Sequence, residues 1–301
     1  YVVLLVVGRP RGDTHFPYRA LFRSYGDIRL GWGDVVMDIR NGIVVGDVSF
    51  GAGADRLDIT GGATVRGAIT DTDGDLAINV TDGTLDLRNT SSQTLSDLSI
   101  GGDGQLIVSL DPNDTGSRLN VTGTATLADG AGLGVHFNSL LAPGAGTQRF
   151  GLISAGSLNA GAIDLDSVQD NSPYLYVVEA GVDTAANEVF ADVRQRTTEE
   201  AGMISVEASL YDAFYNSLTG SSDSATALRD AFLSQISRDD FFNLYEQLLP
   251  EHSGGPLVSL ASGVDAVTRA LTGRNASAAP GETSAWVQEI NFYADKDKTD
   301  T

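Results

Sequence analysis

From Asp34 to Val193, apolar and polar residues take turns along the chain. The segments "VVMDIRNGIVVGDVSF", "DRLDITGGATVRGAI", "GDLAINVTDGTLDL", "GQLIVSL", "SRLNVTGTATL" and "GLGVHF" each put Val, Ile, Leu or Phe at alternate positions. Successive side chains of a strand point to opposite faces, so a period of two predicts half-buried strands. Leu76, Ile78 and Val80 share one face, as do Leu106, Val108 and Leu110, and Leu119 with Val121. The runs are broken by Asn-Gly, Gly-Gly, Asp-Gly and Gly-Asp pairs, which tolerate the positive φ of tight corners. Strands of about five residues recurring about every ten fit a sandwich, a barrel or a solenoid. A solenoid fits best. The breaks lack the strict two-residue spacing of hairpins, small residues fill the corners, and aromatics are nearly absent between Phe50 and Phe137. A narrow core of stacked Leu, Ile and Val needs no aromatic filler. Leu106, Val108, Leu119 and Val121 are then expected to be partners across neighbouring rungs, and hairpins are expected only in a cap near Gly151–Asp192.

From Thr198 the period becomes helical. Met203, Val206, Leu210, Phe214 and Leu218 form one stripe, and Gly220 ends it. "SDSATALRDAFLSQIS" opens with capping residues and sets Leu228, Phe232 and Ile236 on one face. "RDDFFNLYEQLLP" begins with acids at the positive end of a helix and stops at Pro250. Leu257, Leu260, Val264, Val267 and Leu271 make a last stripe, and "GRNASAAPGETS" reads as a joint.

Charge changes the picture by exclusion. The chain carries 40 acids against 19 Lys and Arg, a net −21, with Lys296 and Lys298 as its only lysines. Such a surface repels phosphate backbones, so nucleic acid is not expected as a partner. The absence of cysteine removes disulfides, thiolate metal sites and a cysteine nucleophile. No run reaches the ~20 apolar residues of a membrane helix. "YVVLLVVGRP" lacks the charged start and the length of a signal peptide, so the chain reads as a piece of something longer or as one whose start is wrongly assigned.

The order of segments resembles one family. A solenoid end, the ladder from Gly102 to Val193, helices ending in "LYEQLLPEHSGGPLVSLASGVDAVTRALTGR", and then "AWVQEINFYADKD" resemble the C-terminal part of bacterial autotransporters of type V secretion. The resemblance spans roughly residues 40–301. It implies a passenger end with an autochaperone region over Gly102–Val193, an α-helical linker, and the first strand of an outer-membrane β-barrel opening at Trp286. Barrel-assembly machinery, periplasmic chaperones and the outer membrane are the partners it implies, at the surface of a Gram-negative cell. The barrel itself and the family's terminal aromatic strand are missing. Pro256–Asn275 as a helix would be about 30 Å long, near the bilayer core thickness, yet it carries Asp265 and Arg269 and so suits a polar lumen rather than lipid.

Candidate chemistry is sparse. Asp71, Asp73 and Asp75 in "DTDGDL" suggest a calcium loop, but Leu76 stands where an EF-hand needs Gly. "GAGADRLDI" nears a calcium-binding nonapeptide, but Phe50 replaces its first Gly and it occurs once. Both read as corners whose Asp residues cap backbone amides. His15, His136 and His252 fall in unlike segments, and His252 beside Ser253 has no oriented acid. The Arg11–Asp13 tripeptide reads as chance, and the sequons at Asn79, Asn89, Asn120 and Asn275 carry no weight in a bacterial chain. No catalytic, cofactor or metal residue is assigned.

The expected architecture is mainly β. An unassigned stretch covers 1–33, solenoid rungs 34–101, an autochaperone-like cap 102–197, an α-helical linker 198–275, and a joint with one barrel-type strand 276–301. The expected function is non-catalytic export and display. The alternatives are a free secreted β-solenoid adhesin and a polysaccharide-active solenoid enzyme; the enzyme would need converging acids and bases, and the central arginines look scattered.

Overall fold

A computed structural model of the chain describes residues 23–249. The alternating segments form parallel strands that wind in rungs with three walls. The first wall holds Arg23–Tyr25, Ile43–Val45, Thr64–Gly67, Thr84–Leu87, Gln105–Leu110 and Gly132–Phe137, in that order. The second begins with Val36–Arg40, Asp55–Thr60, Leu76–Val80, Asp97–Ile100, Leu119–Leu127 and Gln148–Ala160, and Gln93–Leu95 also pairs with Leu119–Leu127. The third is short: Ile28–Arg29, Val48–Ser49 and Ile69–Thr70. Among the described residues the ladder already includes Arg23–Tyr25 and Ile28–Arg29, ahead of the Asp34 at which alternation becomes visible in the sequence.

Register fixes the repeat. Arg23 pairs with Ile43, Ile43 with Thr64, Thr64 with Thr84, and Thr84 with Gln105, so a rung takes 20 or 21 residues. Inward residues stack as columns. Val44, Val65, Leu85, Leu106 and Leu133 line the first wall, and Met37, Leu57, Ile78, Leu98 and Ala125 the second. All are buried. Each Leu, Ile or Val removed from water contributes about 1.5–3 kcal/mol, repeated at every rung. Leu76, Ile78, Val80, Leu106, Val108, Leu110, Leu119 and Val121 all face this core, as the alternation predicts. Leu106 and Val108 do not pair with Leu119 and Val121, however. The first two meet Leu133 and Val135 on the first wall; the other two meet Ile153 and Ala155 on the second. A strand and the next one along the chain belong to different walls, so their residues are neighbours around the rung rather than partners across rungs.

Corners are stitched by carboxylates. Asp27 accepts the Asp47 N–H at 3.1 Å, Asp47 the Ala68 N–H at 2.8 Å, Asp34 the Ala54 N–H at 3.0 Å, and Asp55 the Val35 N–H at 2.8 Å. Each bond joins one rung to the next and satisfies an amide that the corner turns away from the ladder. At one corner Gly26, Gly46 and Gly67 stack, all at positive φ. A Cβ on Gly67 would lie 2.0 Å from the Gly46 carbonyl oxygen. Gly67→Ala is expected to destabilise the ladder by at least about 2 kcal/mol through overpacking and backbone strain, read as a lowered urea midpoint. An unchanged midpoint would mean the corner opens freely.

The far end is closed rather than repeated. Gln148–Ala160 turns to antiparallel pairing with Glu188–Gln195, which pairs in turn with Tyr176–Asp183. These are the hairpins expected near Gly151–Asp192. Helix α1 (Ser167–Asp170) and Ser172 cover the exposed edge of Gly132–Phe137. Ser167 Oγ accepts the Leu133 N–H at 3.0 Å, and Ser172 Oγ accepts the Val135 N–H at 3.3 Å. An uncovered strand edge invites pairing with another chain, and these two hydroxyls remove the invitation.

Three helices follow: α2 (Ser205–Leu218), α3 (Asp223–Leu233) and α4 (Arg238–Tyr245), the last running into the turn Glu246–Leu248. The helical period is present, but the buried faces differ from the stripes read in the sequence. In α2 the buried residues are Glu207, Tyr211, Phe214, Tyr215 and Leu218, while Val206 is exposed. Ile236 lies beyond α3 and is exposed, whereas Phe232 and Leu233 are buried. Tyrosines displace aliphatics on the buried face because their hydroxyls reach backbone carbonyls of the cap. Tyr211 donates to Arg196 O at 3.1 Å and Tyr215 to Leu141 O at 2.8 Å. Among the described residues no helix is long and apolar enough to cross a membrane. The expected helix Pro256–Asn275, the joint, and the strand at Trp286 lie outside the described residues, as do His15, His252, Ser253, Asn275 and the Arg11–Asp13 tripeptide.

Candidate functional site

The cap concentrates the aromatic residues that the rungs lack. Phe137 contacts Tyr176 at 4.7 Å and Phe150 edge-on at 6.1 Å between ring centroids. Above them runs a closed ring of hydrogen bonds. Leu141 N–H donates to Tyr176 Oη at 3.1 Å, the two tyrosine hydroxyls lie 3.3 Å apart, and Tyr215 donates to Leu141 O. Burial pushes Tyr176 well above the ordinary tyrosine range and Tyr215 up to about 12, so both stay protonated and able to donate. Phe214, Phe232 and Phe241 stack edge to face across α2, α3 and α4, and Tyr174 joins them at 5.3 Å from Phe241. Helices and cap thus share one aromatic core.

Outside the walls, charges form ladders. On the second wall Asp38, Asp58 and Asn79 are in register. Arg40 reaches Asp38 and Arg56 reaches Asp58, each at 2.6 Å, around a shallow hollow of about 370 Å³. On the first wall Arg66 and Arg88 converge on the buried Asp86 at 2.7 and 2.8 Å. The arginines that look scattered in the sequence are therefore paired. Arg66 and Asp86 stand one rung apart, a spacing of 20 that the sequence shows only once the repeat is known. The two second-wall pairs are each neutral, whereas on the first wall two guanidiniums share the one carboxylate of Asp86.

Of the residues singled out for chemistry, several of the described ones have structural roles. Asp71, Asp73 and Asp75 occupy the turn before Leu76–Val80. Asp73 accepts the Gly53 N–H of the preceding rung at 2.9 Å, which holds its carboxyl below the usual range. Burial and the Asp73 charge push Asp71 up. Among the described residues no group of three or more His, Cys, Asp or Glu is arranged to hold a metal ion. Asn89 is buried and bonds the Ile69 backbone through both ends of its amide, which closes its sequon. Asn79 sits in the charged ladder of the second wall, and Asn120 is exposed. His136 lies on the outer face of Gly132–Phe137, in register with Ser109. Ser109 Oγ donates to Leu87 O at 2.8 Å, so its hydroxyl is engaged by the backbone rather than by the imidazole. Burial first, then the Arg88 guanidinium, pushes His136 down to about 4.

What the residues build is a parallel, solenoid-like sheet domain closed by a cap and followed by helices. No protein-family model, curated protein or solved structure matches the chain.

Proposed function

We propose that this chain is a non-catalytic β-solenoid scaffold of a secreted or surface-displayed protein, and that its cap seeds the ladder. The observation that carries this reading is the asymmetry of the two parts. Rungs hold together by repeated aliphatic columns and corner carboxylates, whereas the cap has an aromatic core, hairpins and a hydroxyl-sealed edge. In a fold where each rung touches only its neighbours, folding spreads from whichever end is stable first. The cap also has the local pairings, since Tyr176–Asp183 and Glu188–Gln195 are joined by a tight turn. Pulse-labelled hydrogen exchange during refolding of the 301-residue chain tests it. Amides of Gly132–Phe137 and Glu188–Gln195 are expected to be protected before those of Val36–Thr60. Protection of the Val36–Thr60 rungs first would overturn the seeding role.

Two placements share this scaffold. A free secreted adhesin requires only the solenoid, cap and helices, and it is the simpler reading. The autotransporter placement rests on the order of segments in the sequence, from the Gly102 ladder to "AWVQEI". It adds an outer-membrane barrel, with barrel-assembly machinery and periplasmic chaperones as partners. In that placement α2–α4 would travel with the passenger, because they share the aromatic core of the cap. A reading frame continuing beyond Thr301 with roughly 250 residues of alternating strands would favour the autotransporter. A stop soon after would favour the free adhesin.

A further inference from the structure

We infer that the cleft between the outer face of the first wall and α3 binds a neutral sugar unit. This goes beyond the scaffold reading and does not depend on how the chain is exported. The cleft is a cavity of about 300 Å³ lined by His136, Phe137, Asn138, Asp230 and Leu233. That is the lower end of the range for small-molecule sites. Two of its polar atoms, His136 Nδ1 and the Asn138 side-chain nitrogen, are buried without a protein hydrogen-bond partner. Folded proteins rarely leave such groups unpaired, and two beside one cavity point to a partner supplied from outside.

The charges around the cleft select the partner's chemistry. An anion would face the carboxylate of Asp230, which is largely exposed. A cation would face Arg88 and Arg66, of whose two charges Asp86 offsets one, and Arg229, whose Nε is 3.9 Å from Asp230. A neutral ligand meets neither penalty. His136 is uncharged at neutral pH, so its ring offers one donor and one acceptor. The Asn138 amide donates and Asp230 accepts. A hydroxyl can answer each of them, because it both donates and accepts. Leu233 supplies an apolar wall for the C–H face of a sugar ring. The arrangement joins residues of the last first-wall strand to residues of a helix nearly a hundred positions later, so only the docked helix completes it.

The test is a titration of the whole chain followed by the NMR signals of the histidine imidazoles. His15→Gln and His252→Gln variants assign the His136 signal by elimination. The probes are glucose, galactose, mannose, lactose and cellobiose, with sodium sulfate and tetramethylammonium as charged comparisons. At least one sugar is expected to shift the His136 signal saturably, and neither charged probe is. Asp230→Ala, an exposed change that leaves the core untouched, is expected to weaken that sugar at least tenfold at an unchanged melting temperature. The proposal is overturned if no sugar gives a saturable shift, if Asp230→Ala binds as well as the parent, or if a charged probe shifts the signal as the sugar does.

Discussion

Phe137→Ala is expected to cost about 3–5 kcal/mol and to slow refolding, whereas Leu57→Ala is expected to cost about 2–5 kcal/mol and to act mainly on unfolding. Both side chains are almost fully buried. Their surroundings differ. Phe137 sits under Tyr176 and against Phe150, where the last first-wall strand, the hairpin and the hydrogen-bonded tyrosines meet. Leu57 sits mid-column between Met37 and Ile78. If the cap forms before the rungs, Phe137 is already packed in the transition state and its loss appears in the folding arm of a chevron. Leu57 is packed later, so its loss appears in the unfolding arm. Stopped-flow kinetics of the two variants decides the matter. Equal partition between the arms would remove the cap's priority, and the reverse partition would assign the seed to the rungs.

The second large effect is a loss of stability in acid traceable to His136. Its folded-state pKa of about 4 lies below the ordinary value of 6.5. The unfolded chain therefore binds the proton first as pH falls, so stability rises with pH between about 4 and 6.5 and is fully present above that window. A gap of this size amounts to about 3 kcal/mol. Arg88 and Arg66 oppose protonation, Asp86 favours it, and Asp230 of α3 faces the same cleft. Urea midpoints of the parent and His136→Gln, measured at pH 7.5 and 4.5, check the claim. The parent is expected to lose more than the variant does. Parallel losses would mean that His136 is as readily protonated folded as unfolded.

The walls were legible because alternation and wall are the same fact. A period of two assigns inward faces wherever the core is apolar, and the buried columns through Leu57, Ile78 and Leu106 follow it. The rung length was hidden for a physical reason. A rung contains strands of unequal length, and the "DPNDTGSR" loop between Leu110 and Leu119 lengthens one rung, so that Gln105 pairs with Gly132 rather than with a residue 20 or 21 positions on. Once Arg66 and Asp86 are known to be one rung apart, their pairing is readable; before that they are two charges in different strands. Helix faces were misread where tyrosine replaced leucine. Tyr211 and Tyr215 bury their rings because the cap offers carbonyls to their hydroxyls, and no stripe within the helix announces those carbonyls. The His136 cleft was out of reach in the same way, since Asp230 and Leu233 reach it only through tertiary docking.

The corner carboxylates have a consequence for chain length. Each stitch uses a carboxylate from one rung and an amide from a neighbouring rung, and the same pattern recurs from Asp27 to Asp47 to Ala68. A rung is thus a unit that fits above or below its own kind. Adding or deleting a whole one leaves both of its seams intact, while the sealed end never has to change. Extension and termination are encoded in separate stretches of the chain. Evolution could lengthen such a rod by duplicating a rung, without redesigning the part that stops it.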